Sequence, residues 1–180
     1  MKLCVSGTPG AGKTTIACHL AARFGVPHID VSSMAREKGW IIEDDEERET
    51  SVIDIEAARN HIDGMAEGIV DAHYAELFQG SPLLVIRCPP RLLHQRLLER
   101  GYSTEKIREN IMAEMVDSCL IAAMEEKGRE STFEVENIEL ENAKRRAEEV
   151  ASDPAPGESV ACQTTAHYLT EENLSFYQTL

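Results

Sequence analysis

Basic residues are the scarce component of this chain. Its 180 residues hold 18 Lys plus Arg against 32 Asp plus Glu, a net charge of −14. A phosphate backbone repels such a surface unless the cations are segregated, which argues against a dedicated DNA- or RNA-binding module. The same argument counts against docking on an anionic membrane. A nucleotide ligand or a basic protein partner remains compatible with it. No run approaches the ~18 apolar residues of a membrane span. The opening Met-Lys-Leu-Cys-Val-Ser leads into a Gly-rich stretch and lacks the apolar core of a signal peptide. The five cysteines, Cys4, Cys18, Cys88, Cys119 and Cys162, are widely spaced, odd in number and without a C-x-x-C pair. Neither a metal cluster nor a disulfide framework fits that pattern, which reads as reduced thiols in a cytoplasmic protein.

What is present is an ordinary globular composition, 42% hydrophobic and 28% charged, of a length that suits one domain with or without an appendage. Strand-like apolar runs at Lys2–Ser6, His28–Val31, Gly68–Ala72, Leu83–Cys88 and Thr132–Val135 alternate with helical patterns. Ile16, Leu20 and Phe24 stripe the first helix. Ser32 or Ser33 would cap a short helix through Lys38. Glu43–Glu49, with six acids in seven positions, reads as a solvated loop or helix face. Pro89 and Pro90 open a helix that Gly101 ends. A long helix from Ser103 or Thr104 carries Ile107, Ile111, Met115 and Cys119, and a last one carries Leu140, Ala143, Ala147 and Val150. The alternation predicts an α/β fold of three layers, a five-stranded parallel sheet with helices on both faces. Residues 152–157 read as a linker. Residues 158–180 read as a mobile or surface-docked tail.

The strongest motif is Gly7-Thr8-Pro9-Gly10-Ala11-Gly12-Lys13-Thr14, which fits G-x-x-x-x-G-K-[ST] between a strand and a helix. Its glycines let the backbone wrap so that successive N–H groups face phosphate oxygens. Lys13 would reach the β- and γ-phosphates, Thr14 would ligate Mg²⁺, and the helix start adds its positive dipole end. Asp71 ends an apolar strand, where this fold places the carboxylate that orients Mg²⁺. His73, two residues on, either positions a water or phosphoryl acceptor or is a loop histidine. Arg100, before Gly101, suits a mobile lid whose arginine neutralises transferring charge, or is a solvated helix-end residue. Arg108 is a weaker candidate of the same kind. Arg36 would hold an acceptor phosphate or lie exposed.

No N-K-x-D guanine reader occurs, and the chain is short for a transporter or ring ATPase, so a kinase of nucleotides or small metabolites fits best. The cradle resembles that of the nucleoside monophosphate kinases. Four further pieces narrow the resemblance: Met34-Ala-Arg36-Glu37; Asp45-Glu-Glu before Val52-Ile-Asp54; Ile69-Val-Asp71-Ala-His73; and Glu99-Arg-Gly-Tyr102 with Glu109-Asn-Ile111. Together they resemble the adenylate kinase isoenzyme 6 family, of coilin-interacting nuclear ATPase type, with its archaeal relatives. The resemblance runs from residue 1 to about 150, leaving 151–180 without a match.

That resemblance implies a P-loop adenylate kinase-like domain over 1–150, with a monophosphate-binding region at about 30–53 and a lid at about 99–109. By position, Gly10, Gly12, Lys13, Thr14 and Thr15 would hold ATP. Arg100 would be the lid arginine, Arg36 would face AMP, and Asp71 and His73 match the acid-x-histidine strand end. It further implies phosphorylation of AMP by ATP and Mg²⁺, ATPase activity, and a part in small ribosomal subunit maturation through a basic ribosomal protein. Ser32 and Ser33 stand where relatives often have Gly-Asp, and the Arg that ordinary adenylate kinases place after the Asp71 strand is missing. From the residues alone, a cytidylate or shikimate kinase is the rival kinase reading, and an ATP-switched assembly factor the rival of another class.

Overall fold

Alternation of side chains along short buried strands decides the layering. The structure is a computed structural model that describes residues 1–45, 50–153 and 166–180. Its strands β1 (Lys2–Ser6), β2 (His28–Asp30), β5 (Gly68–Asp71), β6 (Leu83–Arg87) and β7 (Thr132–Glu136) form one sheet in the order β2-β5-β1-β6-β7, every pairing parallel. Leu3, Val5, Ile69, Leu84 and Ile86 join the apolar cluster on one face, and Cys4, Val70, Leu83 and Val85 join the cluster on the other. Successive residues of a strand point to opposite faces, so both must be covered. Helices α1 (Lys13–Phe24), α4 (Pro90–Glu99), α5 (Thr104–Met115) and α7 (Leu140–Ser152) supply residues to the first cluster. Helices α3 (Ile55–Ile62) and α6 (Ser118–Lys127) supply the second. The expected three-layer α/β fold is the one observed. No helix among the described residues is long and apolar enough to cross a membrane.

Three local details differ from the sequence expectations. The short helix α2 (Val31–Lys38) is capped by Asp30, not by Ser32 or Ser33: its carboxylate accepts from Ser33 N at 3.0 Å and Ser33 Oγ at 2.8 Å. The acidic stretch is not a plain loop or helix face. Ile41–Asp45 (β3) pairs antiparallel with Thr50–Ile53 (β4), in a register that sets Ile41 opposite Ile53. That apolar cross-strand pair favours a ribbon whose other positions can stay acidic; 46–49 lie outside the described residues. The long helix expected through Cys119 breaks at Asp117, which takes a left-handed conformation with φ 58°. Aspartate tolerates that region better than most residues, and the Asp117 carboxylate pairs with the buried guanidinium of Arg87.

The C-terminal segment is more than a surface tail. Ala166 and Tyr168 are buried in the first cluster, and α8 (Glu171–Gln178) lies against α4 and α5. The Arg91 guanidinium stands 4.7 Å from the Phe176 ring centre, and that of Arg108 stands 4.6 Å from the Tyr177 ring centre. Tyr168 covers Arg87 at 5.1 Å and donates its hydroxyl to Glu136 at 2.7 Å. Cys162 and the predicted linker fall largely outside the described residues. Replacing a buried aromatic by alanine removes both its transfer energy and its packing, so Tyr168→Ala should lower stability by about 3 kcal/mol in urea titration. Unchanged stability would mean that the segment does not pack on the core in solution.

Candidate active site

The carboxyl ends of the parallel strands meet at one edge of the sheet, where ligands of open α/β folds bind. The loop leaving β1 turns there because two positions have no side chain. Gly7 has φ 137°, and a Cβ on it would stand 2.3 Å from the Ile86 carbonyl oxygen. Gly12 has φ 107°, and a Cβ on it would stand 2.2 Å from Asn137 Nδ2. Two of the loop's carbonyls, those of Thr8 and Ala11, are taken by protein donors. Ala11 O accepts from Asn137 Nδ2 at 2.8 Å and Arg96 Nη1 at 3.2 Å. Thr8 O accepts from Ala11 N at 3.1 Å and Lys13 Nζ at 3.2 Å. The first N–H groups of α1 have no acceptor within their helix, so they face outward as an anion site. Thr14 and Thr15 are exposed in that first turn.

Around this loop the structure gathers Lys13, Asp71, His73 and Arg100. Burial pushes Lys13 below the usual lysine range, opposed first by the Asp71 carboxylate, then by Cys119 and Glu114; Arg100 adds to the lowering. Asp71, 5% exposed, ends β5 in register with Val5 and Asp30. Its Oδ2 lies 3.1 Å from His28 Nε2, and this hydrogen bond raises His28 above the ordinary histidine value. His73 keeps solvent access at the rim. Partial desolvation, then the Lys13 and Lys106 charges, push it down to about 4, so it is neutral at pH 7. Arg100 is exposed at the C-cap of α4, followed by Gly101 with φ 75°. Arg36 is exposed on α2. Arg108 is occupied by the C-terminal segment, its Nη1 donating to Tyr177 O at 3.4 Å.

Several residues of the site were not foreseen. A cleft of about 250 Å³ is lined by Gly10, Gly12, Thr15, Arg96, Glu99, Arg100, Asn137 and Leu140. Arg96 lies one helical turn before Arg100, and that i, i+4 spacing was a readable signal. Asn137 directly follows β7, at the edge where the other strand ends converge. Its backbone N donates to Arg87 O at 2.8 Å, and its carbonyl accepts from Arg96 Nη2 at 3.1 Å.

Among the described residues no group of three or more His, Cys, Asp or Glu side chains is placed to hold a metal ion. Mg²⁺ beside nucleotide phosphates needs fewer protein ligands, usually one or two oxygens completed by phosphate and water. The exposed Thr14 hydroxyl and the strand-end Asp71 carboxylate supply hard oxygen donors of that type, so the residues present fit the ion.

A family described as an AAA domain matches residues 3–117. A protein of Methanocaldococcus jannaschii is 36% identical over 146 residues, covering 79% of this chain and 81% of that one. One of Natronomonas pharaonis is 35% identical over 139 residues, covering 77% and 82%. Both carry the name "Putative adenylate kinase". The chain belongs to the family of these archaeal adenylate kinase homologues. Outside this adenylate kinase family the fold extends further. Shikimate kinase from Bacteroides thetaiotaomicron matches with a TM-score of 0.60 at 18% identity, over 85% of this chain and 99% of that one, a likeness of fold.

Two outcomes test the site. Gly12→Ala places a methyl group against Asn137 in a backbone conformation that alanine resists, and should abolish ATP-Mg binding in a calorimetric titration. His73, neutral when folded, takes up its proton more readily in the unfolded chain. Its contribution is therefore present above the unfolded value near 6.5 and is lost as pH falls toward 4. The His73→Asn variant should lose less stability than wild type across that window, by a modest amount since the ring is solvent-accessible.

Proposed function

We propose that the chain transfers the γ-phosphoryl group of ATP to AMP, giving two ADP. The observation that carries this reading is the gathering of Lys13, Asp71 and Arg100 around a glycine loop of outward-facing amides, in a chain of the adenylate kinase family. In this reading Lys13 neutralises charge on the β- and γ-phosphates, and Arg100 does the same from the lid side. Mg²⁺, when bound, neutralises phosphate charge, and Thr14 and Asp71 would hold it. An AMP phosphate oxygen forms the new bond to the γ-phosphorus as the bond to the bridging oxygen of ADP breaks. No covalent intermediate or general base is needed, because positioning supplies most of the rate.

In this reading residues 1–150 are the kinase domain. The 30–53 region, which includes Arg36 and the β3–β4 ribbon, clamps AMP, and 99–109 closes as a lid. Closure excludes water that would otherwise take the phosphoryl group. Neutral His73 at the rim positions such a water when the lid is open, giving an ATPase side activity. The chain's net charge of −14 and its acidic ribbon favour a second, compatible reading. In it, nucleotide gates binding to a basic small-subunit ribosomal protein; no binding at low salt in any nucleotide state would end it.

Purified protein with Mg²⁺, ATP and AMP should produce ADP in a coupled assay. Lys13→Ala should reduce the rate by about 10²-fold or more, as expected for loss of a cation aimed at the transition state. Faster turnover of CMP or shikimate than of AMP would replace the acceptor, and no transfer to any acceptor would remove the reading.

A further inference from the structure

The most deeply buried acid among the described residues, Glu114 on α5, has no part in the phosphoryl-transfer scheme. It is 2% exposed, at a depth where a lone carboxylate costs several kcal/mol and must be fully partnered. One oxygen, Oε1, accepts from Arg87 Nε at 2.8 Å and from the backbone N of Cys88 at 3.0 Å. The other, Oε2, accepts the hydroxyl proton of Thr8, the second residue of the cradle. Thr8 is itself 1% exposed, and its carbonyl is the oxygen that holds Lys13 Nζ at 3.2 Å. A continuous chain of bonds therefore runs from Arg87 at the end of β6, through Glu114 and Thr8, to the lysine of the cradle.

We propose that Glu114 is a positioning residue: through the Thr8 hydroxyl it fixes the backbone of the cradle and the Lys13 ammonium, and it makes their placement depend on α5. The geometry of α5 gives this a consequence. The helix is capped by Ser103, two residues after Gly101, and Glu114 lies at its opposite end. Twelve helical residues form a rod of about 18 Å, with one end at the lid and the other gripping the cradle. Ile107 and Ile111 hold the middle of this rod in the core, so the cradle is tied to a fixed helix. A role as counter-ion to Arg87 alone would need Oε1 but not the Thr8 bond on Oε2.

The inference rests on the kinase reading only for the identity of the ligand, so its test begins without nucleotide. Thr8→Val removes the hydroxyl and leaves Glu114 paired with Arg87, and Thr8→Ser restores the hydroxyl. In nucleotide-free protein, amide hydrogen exchange over residues 8–14 should quicken about tenfold in Thr8→Val and stay within about twofold of wild type in Thr8→Ser, as for a loop that has lost its anchor. In the full reaction Thr8→Val should lower kcat about tenfold, with a smaller change in the KM for AMP, because misplacing Lys13 weakens the transition state more than acceptor binding. Glu114→Gln should repeat the loss of kcat with an added loss of stability, because it also removes a counter-charge of Arg87, and in kcat the double variant should be no worse than Glu114→Gln alone, as for two residues acting on the loop through one bond.

The proposal is overturned if folded Thr8→Val shows unaltered exchange over 8–14. It is equally overturned if the melting temperature falls while kcat is kept, or if the two substitutions add. Failure of the wild type to bind ATP-Mg would instead overturn the ligand reading, and the exchange experiment would still decide the positioning role.

Discussion

Backbone amides can be aimed at a ligand only where the carbonyls of the same loop are already satisfied, and this constraint shapes the whole edge of the sheet. Ala11 O is held by Asn137 and Arg96, and Thr8 O by Lys13 and the Ala11 amide. The donors come from the end of β7, from α4 and from α1, so the loop after β1 is defined by elements far apart in sequence. The glycines serve the same end. Gly7 and Gly12 adopt left-handed backbone and also let Ile86 and Asn137 approach more closely than any side chain would permit. A parallel sheet makes this possible because it brings several strand ends to one edge.

The second organising element is charge without water. Arg87 is 1% exposed in the middle of the fold. Burial works against its charge, but the carboxylates of Glu114, Asp117 and Glu134 outweigh that and hold it more firmly protonated than usual. Replacing one member would strand the rest, which is why such clusters are costly to break even when their net contribution is small. The C-terminal segment completes the enclosure. The Ala166 amide donates to Glu134 at 2.8 Å, and Tyr168 covers the guanidinium while bonding Glu136. The segment, which the sequence left as either mobile or surface-docked, thus seals the charges that lie beneath the cradle.

The legible part of this molecule was its local part. Short apolar runs marked all five strands of the main sheet, and G-x-x-x-x-G-K-T named the loop, because both signals lie in consecutive residues. Asp71 stood out as the acid ending an apolar strand, and Arg100 as the arginine before a hinge glycine. Asn137, Arg96 and Glu114 were missed for the opposite reason. Each acts on the loop across 85 or more positions of sequence, and only Arg96, four residues before Arg100, carried a local mark. The helix break at Asp117 was hidden in the same way, since the pattern through Cys119 is helical and the residue that holds the break, Arg87, lies 30 positions away. Local propensity was overridden there by a tertiary ion pair.

The central claim is that the loop after β1 holds the phosphates of ATP with its own amides. The most direct measurement is a titration of the ¹⁵N-labelled protein with ATP-Mg, followed by backbone amide chemical shifts. The account predicts that the largest changes fall on Gly10, Gly12, Lys13, Thr14 and Thr15, with smaller ones at Arg96, Arg100 and Asn137 along the adjoining cleft. Saturable binding with those amides unmoved, and the large changes elsewhere, would contradict it.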